Sequence, residues 1–93
     1  MIVHVLLPRV LADTNGGARE LEITLSEGTL RSLFDALAVS HARLERRMRD
    51  EAGSVRRYVN VYVDGLDIRR GSGLETPLTD GATVQVIPSV AGG

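Results

Sequence analysis

Two adjacent glycines, Gly92 and Gly93, form the carboxyl end of this sequence. At an average glycine usage of about 7%, such an ending arises by chance in about 0.5% of chains. Residues without a Cβ atom form a thin, adaptable strand that can thread a narrow channel and let a partner's backbone approach closely. The alternative is a frayed terminus without a role, as most chain ends are. The pair therefore predicts a tail that a partner protein holds.

The side chains that most often perform covalent chemistry are missing from the sequence, which has neither cysteine nor lysine. Disulfides, thiolate metal sites and thiol nucleophiles are therefore excluded, as is a lysine Schiff base. His4 and His41 are too few and too far apart in sequence to indicate a metal site. No carboxylate pair, nucleophile triad or phosphate-binding loop stands out. We assign no catalytic residue and expect a module that acts with partners.

Composition limits the chain to one small domain of 93 residues, with 43% hydrophobic and 25% charged residues. A net charge of −1 argues against a dominantly electrostatic nucleic-acid binder. No apolar run approaches the ~20 residues of a membrane span, and no signal-peptide pattern opens the sequence, so a cytoplasmic protein is expected. Arginines crowd residues 43–57. A solvated face is the favoured interpretation, with a nucleic-acid patch or a partner-docking patch as alternatives.

Two strands are predicted in the first part of the chain. Residues 2–7 are apolar at nearly every position and end at Pro8, which is typical of a central strand covered on both faces. Residues 20–25 alternate between polar and apolar side chains, which indicates a half-buried strand nearer an edge. Between them, residues 13–17 form a turn cluster in which Asn15 and Gly16 accept positive φ angles.

An amphipathic helix follows, with Ser26 or Thr29 available to cap its first turn. Val39 and Ser40 are weaker helix formers, so a break or kink is expected near them, followed by a short helical piece over residues 44–48. Apolar side chains and one histidine recur at spacings of three and four, and this stripe predicts core packing. The stripe comprises Leu30, Leu33, Phe34, Leu37, His41, Leu44 and Met48.

The second half of the sequence is predicted to return to strands. Residues 57–64 alternate, with Val59, Val61 and Val63 pointing inward. Asp64 and Gly65 form a tight turn into residues 66–70. Residues 83–88 make the last strand. These elements predict an α+β domain with one main helix packed on one face of a sheet.

Several segments together resemble the MoaD/ThiS family of ubiquitin-like sulfur carriers, and the resemblance extends over essentially the whole chain. They are Val59-Asn60-Val61-Tyr62-Val63, Asp67-Ile68-Arg69, Gly73-Leu74, Asp80-Gly81 and the ending Pro88-Ser89-Val90-Ala91-Gly92-Gly93. Within that family the sequence is most similar to the actinobacterial sulfur carriers of cysteine biosynthesis. The resemblance implies a β-grasp domain over residues 1–88, with the first and last strands adjacent and parallel, and a flexible tail over residues 89–93.

The resemblance also implies a function for the tail. In this family an E1-like enzyme uses ATP and magnesium to adenylate the terminal glycine, here Gly93, and the acyl-adenylate then accepts sulfur as a thiocarboxylate. Gly92, Ala91 and Val90 would be the residues by which partners recognise the tail. The protein itself would bind no cofactor or metal and would not be an enzyme. Its partners would be the activating enzyme, a sulfur-accepting synthase and a metallopeptidase, with no nucleic acid or membrane involved.

The sulfur acceptor remains open at this point. Cysteine biosynthesis is the favoured pathway. The alternatives are the small subunit of molybdopterin synthase, a sulfur donor to a secondary-metabolite thiosugar pathway, and a ubiquitin-like modifier joined to target lysines. A plain adaptor domain with an inert tail is the least favoured interpretation.

Strand alternation also predicts where partners dock. A sheet covered by helices on one face leaves its other face to solvent or partners. Leu6, Tyr62 and Ile87 all alternate with predicted core residues, so they are expected to form a contiguous apolar patch near the tail. Arg69 is expected in its polar rim.

Overall fold

The computed structural model describes residues 1–26 and 28–88, and within them a five-stranded mixed sheet packs against helices. The strands are β1 (Ile2–Leu6), β2 (Glu20–Thr24), β3 (Val59–Val63), β4 (Leu66–Asp67) and β5 (Thr83–Pro88). The α-helices are α1 (Arg9–Ala12), α2 (Leu30–Ser40) and α3 (Ala42–Met48). Short 3₁₀ helices occupy Asp13–Asn15, Ile68–Arg70 and Gly73–Glu75. The α+β class predicted from the sequence is confirmed.

The strand order in the sheet is β2-β1-β5-β3-β4. β1 and β5 run parallel, with Val5 opposite Val84, while the other neighbouring strands are antiparallel. This arrangement confirms the expected mixed β-grasp sheet in which the first and last strands are adjacent. β2 lies at an edge, as its clean alternation predicted. The last strand therefore lies in the middle of the sheet, between β1 and β3.

One face of the sheet carries the core. Val3 and Val5 on β1 are fully buried, the inward valines of β3 and β5 are buried, and all of them pack against the apolar stripe of α2 and α3. The prediction that β1 is covered on both faces was wrong. Ile2 is 44% exposed, and His4 and Leu6 are only partly buried. The helices cover one face only, so the apolar residues on the opposite side of β1 lie on an open face.

The helical segment begins and breaks close to the expected positions. Thr29 caps α2 in a reciprocal arrangement, in which the Ser32 N–H donates to Thr29 Oγ1 (3.4 Å) and the Thr29 N–H donates to Ser32 Oγ (3.3 Å). The break falls at His41, whose φ of −139° and ψ of 58° leave the helical region. His41 is the stripe position that is not buried, and its Nδ1 lies 2.7 Å from the Ser40 hydroxyl.

Two local features differ from the expected elements. The four-residue helix α1 was not foreseen, because one helical turn after Pro8 is too short to show a helical period. The expected strand over residues 66–70 shortens to β4, because Asp67 Oδ1 accepts the Arg69 N–H (2.9 Å) and starts a 3₁₀ turn. The tight turn before β4 is confirmed by the positive φ angles of Asp64 (49°) and Gly65 (87°).

Among the described residues, Arg49 is the one charged side chain that is buried, at 8% exposure. Its Nε donates to Glu45 (2.7 Å) and its Nη2 to Asp35 (3.0 Å), while its guanidinium carbon lies 5.5 Å from the centroid of the Phe34 ring. Burial alone would lower the pKa of Arg49, but the hydrogen bonds to Glu45 and Asp35 outweigh it and raise that pKa. These contacts connect the end of α3 to α2.

Candidate functional site

The tail residues predicted from the sequence, Val90, Ala91, Gly92 and Gly93, lie outside the described residues. The structure does place the point from which they extend. β5 ends at Pro88, which is opposite Val59 in the antiparallel pairing of β5 with β3. Pro88 thus lies at the end of a central strand, held on the β3 side by a ladder that begins at Val59. A central strand gives the segment after it a rigid base.

The open face, the sheet surface opposite the helices, carries all three predicted apolar contact residues. Ile87 is 38% exposed, while Leu6 and Tyr62 are half-buried. Their spacing is less compact than expected, because Gln85 is paired with Leu6 on one side and Tyr62 on the other. Ile87 follows two residues later, opposite Asn60. The structure brings the three onto one face near Pro88, with a glutamine between Leu6 and Tyr62.

Leu6 and Ile87 line a shared depression of about 500 Å³ at the Pro88 end of the open face. Gln85 also lines it, together with Arg19 and Glu20 from the neighbouring strand and the loop before it. Tyr62 lies outside this depression, on the far side of β5. The depression combines apolar walls with polar groups, which is the usual composition of a surface that recognises another protein.

Arg69, predicted as a rim residue, is bonded to the backbone that precedes and starts β3. Its Nη2 donates to the carbonyl of Val59 (2.8 Å) and, at 3.4 Å, to the carbonyls of Arg56 and Arg57. Its Nη1 donates to the Asn60 side chain. Because Val59 is opposite Pro88, the guanidinium stabilises the segment on which the root of the tail rests. A partner contact by Arg69 would use a side chain already held in place.

A second surface adjoins Pro88 and was missed by the sequence reasoning. We call it the root groove; it has a volume of about 180 Å³ and is lined by Val10, Leu11, Arg47, Tyr58, Val59 and Pro88. Val10 and Tyr58 are 49% and 42% exposed. The groove depends on α1, which the sequence did not predict. The one sequence signal was Tyr58, an aromatic residue immediately before a strand.

The described residues contain no cluster of possible metal ligands. Within residues 1–26 and 28–88, no group of three or more His, Asp or Glu side chains is arranged to hold a metal ion. On the open face, His4 Nδ1 lies 3.6 Å from Glu20 and 3.8 Å from Glu22. In the same ranges, no helix has the length and apolar character required to cross a membrane. The geometry instead presents a tail root flanked by two surfaces.

Comparison with known proteins agrees with this geometry. The chain is 34% identical to the sulfur carrier protein CysO of Mycobacterium tuberculosis, over 95 aligned positions that cover 100% of both proteins. Among solved structures, it is similar to CysO in the crystal structure of the BexX/CysO complex of Amycolatopsis orientalis. That match has a TM-score of 0.85 and 34% identity, and covers 98% of this chain and 99% of the other.

A more distant structural likeness supports the fold alone. Small archaeal modifier protein 1 of Haloferax volcanii matches with a TM-score of 0.81 at 23% identity, covering 96% of this chain and 98% of that one.

The family model described as the ThiS family matches residues 5–93, nearly the whole sequence. The resemblance inferred from the strand motifs and the Gly-Gly ending is thereby confirmed, and the chain belongs to the ThiS family.

Proposed function

We propose that this chain is a sulfur carrier whose sulfur is held as a thiocarboxylate on Gly93. The observation that carries the proposal is the full-length 34% identity to a sulfur carrier protein, in a chain that retains the terminal Gly92-Gly93 pair. A carboxylate is a poor electrophile because its leaving group would be oxide. Attack of the Gly93 carboxylate on the α-phosphorus of ATP, with loss of pyrophosphate, would give an acyl-adenylate with a good leaving group. A sulfur nucleophile would then displace AMP.

In this proposal the chain is a co-substrate and the chemistry belongs to its partners. An E1-like enzyme supplies ATP, magnesium and the activating groups, and a synthase accepts the sulfur. Two features support this division of roles. The sequence has no cysteine or lysine, and the described residues contain no metal-binding cluster. We place the protein in the cytoplasm, where ATP-dependent activation takes place.

Cysteine biosynthesis is the pathway that the relatives favour over the alternatives raised from the sequence. The sulfur carrier proteins that match the full chain favour neither a molybdopterin synthase subunit nor a thiosugar donor. The match to small archaeal modifier protein 1 has 23% identity, so it supports the fold and does not support a modifier function. In the cysteine branch, the thiocarboxylate sulfur attacks the β-carbon of an activated serine and displaces its activating group, which gives an S-acylcysteine. Transfer of the acyl group from sulfur to the amine leaves cysteine amide-linked to Gly93, and a metallopeptidase then hydrolyses that amide.

The acceptor chemistry provides the test of this function. We expect the thiocarboxylate form, incubated with a cysteine synthase-like enzyme and an activated serine, to end in one cysteine that is amide-linked to Gly93 and whose sulfur comes from the thiocarboxylate. Tandem mass spectrometry of the C-terminal peptide would locate the addition, and unloaded protein with a Gly93 carboxylate is the control. Stable isopeptide adducts on cellular proteins, with no small-molecule sulfur product, would contradict the carrier function and support a modifier.

We further propose that the open face is the surface that partners grip while the tail occupies their active site. Tyr62→Ala and Ile87→Asp should each weaken binding of the activating enzyme by about 1–3 kcal/mol, a range typical of interface anchors. Isothermal titration calorimetry would measure the loss. Leu66→Asp, at a position 76% exposed in the β3–β4 hairpin, is the matched control. Unchanged affinity in both open-face variants would show that partners dock elsewhere.

A further inference from the structure

The root groove is an apolar recess that the tail chemistry does not require. Its floor includes Leu11 and Val59, both buried, while Val10 and Tyr58 form its exposed sides. A volume of about 180 Å³ leaves room for one large apolar side chain. Isolated apolar residues on a surface are ordinary, but an apolar recess with a charged rim indicates a recognition site.

Three exposed arginines are lining residues of this recess or directly precede lining residues in the chain: Arg9, Arg47 and Arg57. Arg47 is itself a lining residue. Arg9 and Arg57 directly precede the exposed apolar residues Val10 and Tyr58. Arg43 lies one helical turn before Arg47 on α3 but lines a different recess.

These arginines are not neutralised by the described part of the protein. None of Arg9, Arg47 and Arg57 forms an ion pair with a described residue, whereas Arg31 and Arg49 do. The carboxylates nearest to them in sequence are Asp13, Glu45 and Glu51, and Glu45 is already bonded to Arg49. The rim therefore carries a local positive charge although the whole chain has a net charge of −1.

The position of the groove restricts which protein can cover it. Residues 89–93 span at most about 17 Å when fully extended. An enzyme whose active site holds Gly93 must therefore come within that distance of Pro88, which lines the groove. The enzyme that activates the tail thus lies within reach of both the recess and its arginines.

We propose that the root groove binds an acidic segment of the activating enzyme, with one apolar side chain of that segment seated between Val10 and Tyr58. Carboxylates on either side of that side chain pair with the rim arginines. The inference rests on the proposed function, because it names a contact of the enzyme that adenylates Gly93. An apolar recess with a single exposed aromatic residue favours a protein segment over nucleic acid, which requires several stacking partners.

Steady-state kinetics of thiocarboxylate formation by the cognate E1-like enzyme test the contact. Tyr58→Ala and Arg47→Glu should each raise the KM for the carrier at least tenfold while leaving kcat unchanged, because the groove contributes binding and touches no reacting atom. Arg46→Glu makes the same charge change on the same helix outside the groove and should raise KM less than threefold. Circular dichroism would check that each variant is folded, and Arg47→Glu alters an exposed side chain only.

A peptide titration identifies the occupant. A seven-residue peptide with glutamates on both sides of a leucine, added to ¹⁵N-labelled protein, should shift the amide signals of Val10 and Tyr58. Replacing its glutamates by glutamines should weaken binding at least tenfold, because the rim pairs would be lost. Raising the salt concentration should weaken binding of the acidic peptide for the same reason.

Any other occupant of the root groove would give a distinct experimental result, and each such result would overturn the proposal. Peptide binding that emerges only after deletion of residues 89–93 would assign the groove to the chain's own tail. A dimer that Tyr58→Ala dissociates would assign it to a second copy, and preferential binding of a single-stranded oligonucleotide would assign it to nucleic acid. If the unaltered protein forms the thiocarboxylate and both groove variants keep its KM, the inference fails while the sulfur-carrier function stands. If the unaltered protein never forms the thiocarboxylate, the proposed function fails first.

Discussion

Deletion of Gly93 is expected to abolish thiocarboxylate formation, with its rate reduced at least a thousandfold. The shortened chain still ends in a carboxylate, now on Gly92, but that group is set back by about 3.5 Å. A misplacement of even ~1 Å can cost about a hundredfold in rate when reacting groups must be aligned. Mass spectrometry of the C-terminal peptide, after incubation with the activating enzyme, ATP and a sulfur source, should show the oxygen-to-sulfur exchange only in the full-length protein.

The deletion should leave the fold intact, because β5 ends at Pro88 and every core residue in the described part of the chain precedes it. The urea midpoint of the deletion variant should therefore match that of the parent protein. Measuring thiocarboxylate formation and the urea midpoint together separates loss of function from loss of structure. Equal thiocarboxylate formation on both chains, or sulfur located on another residue, would show that Gly93 is not the carrier position.

Phe34→Ala is expected to reduce the free energy of unfolding by about 3–5 kcal/mol. The ring is fully buried in α2 and belongs to the core beneath the sheet. It also lies under the guanidinium of Arg49, so its removal deprives the buried cation of an aromatic neighbour. A domain of this size has a total stability of about 5–14 kcal/mol. The substitution therefore removes a large fraction of that total, which urea denaturation would measure.

Val39→Ala provides the matched control for Phe34→Ala. It lies in the same helix but is 89% exposed, so its truncation should change stability by less than about 0.5 kcal/mol. Phe34→Leu should show an intermediate loss, because a branched aliphatic chain refills part of the cavity. A loss below about 1 kcal/mol for Phe34→Ala would show that the core adjusts around the missing ring.

The sequence by itself determined the class of fold, the faces of the strands and the position of the helix break. These follow from local rules. Alternation of valines over residues 59–63 places one set of side chains on the core face, since successive strand residues point to opposite sides. Thr29 was, with Ser26, one of two recognisable cap candidates, and Asp64-Gly65 was recognisable as a turn, because each acts on the backbone within a few residues. The terminal Gly92-Gly93 pair likewise needed no tertiary context to indicate a tail.

Only the tertiary structure decided how those faces meet. Residues 2–7 are apolar at every position except His4, and sequence periodicity cannot tell a strand covered on both sides from one whose second face is open. The registers of β1 and β3 with β5 placed Gln85 between Leu6 and Tyr62, and strand register depends on pairing between segments far apart in the chain. The root groove, finally, joins α1, α3, β3 and β5 at Pro88. Its residues are distant in sequence and become neighbours only because β5 lies in the middle of the sheet.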